Sequence, residues 1–239
     1  MSDPDRRATA PADMILIPAG VFRMGSDEFD FEGPPHDVDV AAFYIDRYPV
    51  TIAAYARFVE ATGHAAPPDW DTTVITERHD HPVDRVTWES AREYAAWAGK
   101  RLPTEAEWEK ASRGTDGRRW PWGDTFDESR CIVWDYAMAV DVTTMPIDAH
   151  PGGASPYGVE QMAGNVEEWV EDAFLPYPGS THESPSASGE LRVLRGGSWF
   201  FTQEHTRCAY RRGARPDFDG WSQAGGPGFR CAADQLPTP

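Results

Sequence analysis

Cysteine is scarce: three in 239 residues, an odd number, at positions 131, 208 and 231. Such a set cannot form a disulfide framework, and reduced thiols in a cytoplasm are the default expectation. Long apolar runs are missing too. The N-terminus, Met1-Ser-Asp-Pro-Asp-Arg-Arg, has no apolar signal region, and no stretch of about 18 apolar residues occurs, which disfavours export and membrane spanning. Positive charge is in deficit, with 22 Lys and Arg against 39 Asp and Glu and a net charge of −17. Nucleic acid and anionic membrane surfaces would be repelled by that field, so neither is expected as a partner. Helix-friendly composition is lacking as well. The 21 Gly and 21 Pro predict turn-rich connections, short strands and few helices. What is present is apolar bulk: 40% hydrophobic residues and ten Trp, ample for a sizeable core. No repeat or composition shift divides the chain. The expectation is one domain over residues 13–235 behind a frayed leader of residues 1–12.

Patterning fills in the elements. Met14-Ile-Leu-Ile-Pro18 and Val21-Phe-Arg-Met24 alternate, which predicts a hairpin turning at Ala19-Gly20. Alternation over Val38–Tyr48 predicts one more strand. A helix capped by Thr51 presents Ala54, Tyr55, Phe58 and Val59 on one face and ends at Gly63. A second runs from Thr87 to Gly99. The third opens at Thr104 with a Thr-x-x-Glu capping box to Glu107 and ends near Gly114. Beyond Gly114 the text is turns and short apolar pieces, with an exposed excursion over Pro176–Gly189.

Four phrases stand out: Arg101-Leu-Pro-Thr-Glu-Ala-Glu-Trp108, Gly164-Asn-Val-Glu-Glu-Trp169, Arg192-Val-Leu-Arg-Gly-Gly-Ser-Trp199 and Gly228-Phe-Arg-Cys231. In this order they resemble the formylglycine-generating enzyme (sulfatase-modifying factor) family, with its ergothioneine-type sulfoxide synthases and a pyoverdine-maturation enzyme. Ile17–Gly25, Phe43–Thr51 and His81–Trp88 extend the likeness from Met14 to Ala233. The resemblance implies an α+β, C-type-lectin-like fold with a mostly antiparallel sheet core, few helices and much irregular structure. Trp108, Trp120, Trp122, Trp169 and Trp199 would fill its core.

One chemical detail departs from the family pattern. In the founding enzymes a cysteine pair follows the Gly-Gly-Ser-aromatic phrase and binds copper(I). Here the first of those positions is Phe201. The second is Thr206 counting forward from Ser198, or Arg207 counting back from Gly228, with Cys208 one or two positions away. A single thiol cannot make the dithiolate that soft copper(I) prefers. Cys131 and Cys231 read as buried small hydrophobes. Glu204, His205 and Cys208 could offer mixed ligands to a redox metal, iron or copper, or to zinc. His79 and His81 share a face if extended. The His-x3-His-x-Glu iron triad of the sulfoxide synthases, and the helical domain that carries it, have no counterpart here.

The resemblance also implies a structural calcium ion on Gln161, the Gly164 and Val166 carbonyls and Glu168, hard oxygen donors on a tight loop. Glu168 paired with an arginine is the competing arrangement. Arg207, Arg211, Arg212 and Arg215, interleaved with Tyr210 and Trp221, either fan out toward an anionic group or neutralise acidic neighbours. The leading expectation is an oxygen- or metal-dependent oxidoreductase that is not a formylglycine synthase, acting on a peptide or small molecule. Its groove would be lined by Glu167, Ser198, Trp199, His205, Cys208 and Arg211. Two alternatives are a non-catalytic, lectin-like binding module of the variable-protein type, and an accessory subunit lending its groove to a separately encoded iron protein.

Overall fold

The N-terminal alternation divides between two sheets. In a computed structural model describing residues 13–140, 143–181, 189–220 and 225–236, strand β1 (Met14–Ile17) pairs antiparallel not with β2 (Gly20–Met24) but with β4 (Phe43–Asp46). The far edge of β4 takes β9 (Ala232–Ala233), giving the order β1-β4-β9. Strand β2 pairs with β3 (His36–Val40) in a separate two-stranded sheet. Both the expected hairpin at Ala19-Gly20 and the expected single strand over Val38–Tyr48 are therefore corrected. Alternation reports which face of a strand is buried, and Ile17, Phe22, Val40 and Phe43 are indeed inside. It carries no information about the partner, and the chain changes sheet between Val40 and Phe43.

A third sheet, ordered β7-β6-β5-β8, gathers β5 (Glu168–Ala173), β6 (Arg192–Arg195), β7 (Arg211–Ala214) and β8 (Gly228–Phe229). Its pairings are antiparallel except that β8 runs parallel to β5. Strands β6 and β8 flank residues 199–227, and β7 runs through that stretch. The leader, residues 1–12, lies outside the described residues, as do Trp221 and much of the Pro176–Gly189 excursion.

The three expected helices form where their punctuation places them. Helix α1 (Ile52–Thr62) is capped by the Thr51 hydroxyl accepting from the Ala54 N–H, and it stops at Gly63 with φ 70°. Helix α3 (Trp88–Trp97) starts at Thr87. In α4 (Glu105–Arg113) both capping-box bonds are made: Thr104 N–H to Glu107 at 2.7 Å and Glu107 N–H to Thr104 at 3.2 Å. Two short helices, α2 (Thr72–Glu77) and α5 (Trp134–Val140), were not legible. Neither reaches the two turns over which a helical period can be recognised.

Helices α1 and α3 pack Tyr55, Phe58 and Tyr94 against Trp169 and Phe229 of the third sheet. Helix α4 wedges Trp108 among Ile17, Phe43, Val170 and Val193 of the other core. Among the described residues no helix is long and apolar enough to cross a membrane.

Candidate functional site

Most arginines of the C-terminal third are committed to buried carboxylates. Arg195, fully buried, donates to Glu109 at 2.5 Å, to Glu105 at 3.3 Å and to the Cys208 and Ala209 carbonyls. Arg207 takes Glu32 at 2.7 and 2.9 Å. Arg211 holds both oxygens of Glu105 at 2.7 and 2.9 Å, donates to the Phe31 and Leu175 carbonyls, and stacks on Phe174 and Tyr177. Arg211 is 2% exposed, so it belongs to the core and not to a groove. Cys208 is corrected in the same way. It is fully buried, accepts from the Ser112 hydroxyl at 3.1 Å, and burial pushes its thiol up to about 12. A protonated thiol sealed in the core is a poor nucleophile.

The opposite face of β7 presents a second cluster of charged and aromatic side chains. Successive side chains of a strand point to opposite sides, so Arg211 enters the core while Arg212 turns outward and covers Glu167. The pair is bidentate, 2.7 and 2.5 Å, with Glu167 only 3% exposed. Burial opposes the Arg212 charge, but Glu167 outweighs it, and the guanidinium pKa is raised. Its plane lies over Phe201 at 5.9 Å and Phe218 at 5.2 Å. His205 sits between Phe201 and Tyr210, at 5.1 and 4.9 Å, and shares a 3.0 Å hydrogen bond through Nδ1 with the Thr202 hydroxyl. Burial, then Glu167, raises the Tyr210 phenol.

The turn carrying His205 is pressed on Gly197, where a Cβ would lie 2.6 Å from the His205 carbonyl oxygen and φ is +64°. Glycine is therefore required there. Ser198 and Trp199 follow, both buried, with Trp199 packed on Ile132 and Ala137. Of the six expected groove residues, Glu167 and His205 lie in this cluster and Ser198 and Trp199 beside it in sequence, whereas Cys208 and Arg211 are excluded. Arg212, Tyr210 and the ring of Phe201 complete the cluster. The two-residue period of a strand after Cys208 was the available signal for Arg212.

No donor set here fits a redox metal. Glu204 is exposed and accepts from Thr202 and Gln203, while Cys208 is buried elsewhere. All three cysteines are free and buried. Among the described residues no group of three His, Cys, Asp or Glu side chains could hold an ion.

Two of the side chains expected to hold calcium are already engaged within the protein. Glu168 accepts from Arg230 at 2.7 and 2.7 Å and from the Trp108 indole at 2.8 Å. The Gln161 side-chain oxygen accepts from Asn165, and its carbonyl from Arg230. The Gly164 N–H donates to the Gly196 carbonyl and Val166 is buried, a placement that leaves the Gly164 and Val166 carbonyl oxygens out of these bonds. A calcium ion here would share Glu168 with Arg230 and the Trp108 indole.

His79 and His81 take different partners, the Thr76 carbonyl and the Thr144 hydroxyl. Burial, then Arg78, lowers the His81 pKa from 6.5 to about 4. The unfolded chain therefore binds a proton between those values that the folded one refuses, and stability is lost as pH falls through this window. Thermal melts should show the gap between the native chain and His81→Gln shrinking from pH 7 to pH 4.5. A constant gap would mean that the His81 proton is not linked to folding.

The chain matches the sulfatase-modifying factor enzyme 1-like domain over residues 1–235. It is 37% identical to the formylglycine-generating enzyme of Thermomonospora curvata, with 93% of this chain and 94% of that one covered. It is 34% identical to the hercynine oxygenase of Mycolicibacterium smegmatis over 84% of this chain, but over only 58% of that protein. Among solved structures, PvdO from Pseudomonas aeruginosa superposes with a TM-score of 0.71 at 29% identity, covering 93% of this chain and 94% of that one.

Proposed function

Because the chain belongs to the sulfatase-modifying factor family, we infer that the Glu167–Arg212 cluster serves the oxidation of a peptide or small molecule by a route other than copper–cysteine formylglycine synthesis. One observation carries this reading: an aromatic ring, Phe201, occupies the position of the first family cysteine, and the nearest thiol, Cys208, is sealed in the core. The names of two relatives, a formylglycine-generating enzyme and a hercynine oxygenase, support an oxidative reaction. Over a third of the hercynine oxygenase lies outside the match, which supports a division in which this chain supplies the substrate surface and a separately encoded protein supplies the redox metal.

In that role Arg212, held flat by Glu167, presents a planar donor group between aromatic walls and suits a carboxylate or amide. His205, oriented by Thr202, places an imidazole ring beside it.

The test is direct. Purified protein with copper supplied should leave a sulfatase-type Cys-x-Pro-x-Arg peptide unchanged by mass spectrometry. Conversion of the thiol to an aldehyde over many turnovers would overturn the reading.

A further inference from the structure

A concave site lined by residues other than those of the Arg212 cluster opens on another part of the molecule's surface. A cavity of about 290 Å3 opens beside Trp199, with Pro68 and Trp70 on its walls and Arg78, Asp84 and Arg85 supplying polar groups. Three features separate it from an incidental crevice. Two of its residues, Asp69 and Arg85, hold left-handed backbone conformations at φ 60° and 59° that non-glycine residues rarely adopt, and they are ion-paired to each other. Strain of this kind persists where the surroundings impose it, and it concentrates at binding sites.

The second feature is an unmet donor. The Arg85 Nε atom is buried without a hydrogen-bond partner among the described residues. A buried polar atom left unpaired is costly, and at Arg85 that cost adds to the backbone strain that the surroundings impose. The third is a buried carboxyl. Asp84 Oδ2 and Trp199 Nε1 each lie 3.1 Å from where a side chain at Gly225 would begin, so both border the same space. Burial raises the Asp84 pKa against the pull of Arg78, Arg85 and the Gly226 N–H.

Charge decides the ligand class. Two cations, Arg78 and Arg85, stand with two acids, Asp69 and Asp84, so the site is neutral when all are ionised. A simple anion or cation would leave a net charge in a partly desolvated space, whereas a ligand carrying both signs would not. We propose that this cavity binds a free amino acid, its carboxylate on Arg78 and Arg85, its ammonium on Asp84, and its apolar body between Trp70 and Trp199.

Calorimetric titration of the full chain tests this with L-phenylalanine, L-leucine and L-methionine as probes. Two analogues each lack one charge: 3-phenylpropionate has no ammonium and phenethylamine no carboxylate. At least one amino acid should bind saturably, with L-phenylalanine at least tenfold tighter than either analogue. Asp84→Asn should weaken L-phenylalanine and phenethylamine at least tenfold while sparing 3-phenylpropionate, a pattern that loosened folding would not produce. Arg85→Gln should show the converse. The proposal is overturned if none of the three amino acids binds, if the analogues bind as well as L-phenylalanine, or if Asp84→Asn weakens all three phenyl probes alike. Because no peptide oxidation is measured, this outcome is independent of the groove's function.

Discussion

Arg211→Ala should lower stability by about 3–5 kcal/mol, the usual cost of removing one partner from a buried ion pair. The guanidinium holds both oxygens of Glu105, and truncation would also vacate the space between Phe174 and Tyr177. In a domain of this size the loss corresponds to a melting-temperature drop of roughly 6–20 °C. Arg211→Lys should recover only part, since an ammonium cannot make the bidentate fork. His205→Ala should behave differently, with a change of about 0.5 kcal/mol, because its ring is half-buried at the surface of the aromatic cluster. Denaturant unfolding of the three variants checks both halves. If Arg211→Ala unfolds at the wild-type midpoint, the residue faces solvent and the sequence-level placement in a groove stands.

Glu168→Gln should be as damaging, again about 3–5 kcal/mol. Arg230 is fully buried, and its guanidinium would lose its counter-charge while the Trp108 indole lost an acceptor. The same variant separates the two cations that could satisfy Glu168. With Arg230 in place, chelator should leave the wild-type melting temperature unchanged. A bound calcium ion at a hundredfold excess over its dissociation constant would instead contribute about 2.7 kcal/mol. A chelator-sensitive melt that Glu168→Gln abolishes would assign the site to calcium.

Local chemistry was legible in the sequence wherever it is settled within a few residues. Thr51, Thr104–Glu107 and Gly63 cap helices because the groups they satisfy lie one turn away. Cys131, Cys231, Trp108 and Trp169 are core because nothing else suits their bulk or apolarity. The family phrases extended this to the α+β architecture. Legibility failed where the deciding partner is distant. Nothing beside Arg211 names Glu105, and nothing beside Arg207 names Glu32, so arginines that neutralise buried acids looked like a ligand-binding fan. Val21 and Val38 alternate alike, yet no local signal shows that β2 and β3 leave the sheet of β1 and β4. Cys208 looked like the residue of a displaced pair, whereas α4 places Ser112 against it.

The placement of β9 has a consequence for biosynthesis. Strand β4 is bordered by β1 on one side and by β9 on the other, and Asp46 and Val50 also bond the Cys231 and Phe229 carbonyls. A ribosome releases β1 and β4 early, but the strand that completes them emerges only when residue 233 has been made. Until then β4 offers an unpaired edge to any neighbouring nascent chain. Pairing across nearly the whole sequence also makes closure of this sheet a slow step. Chaperone demand during synthesis should therefore track the delay in releasing residues 228–233, and a stall just before them would leave a chain with its helices formed and its first sheet open.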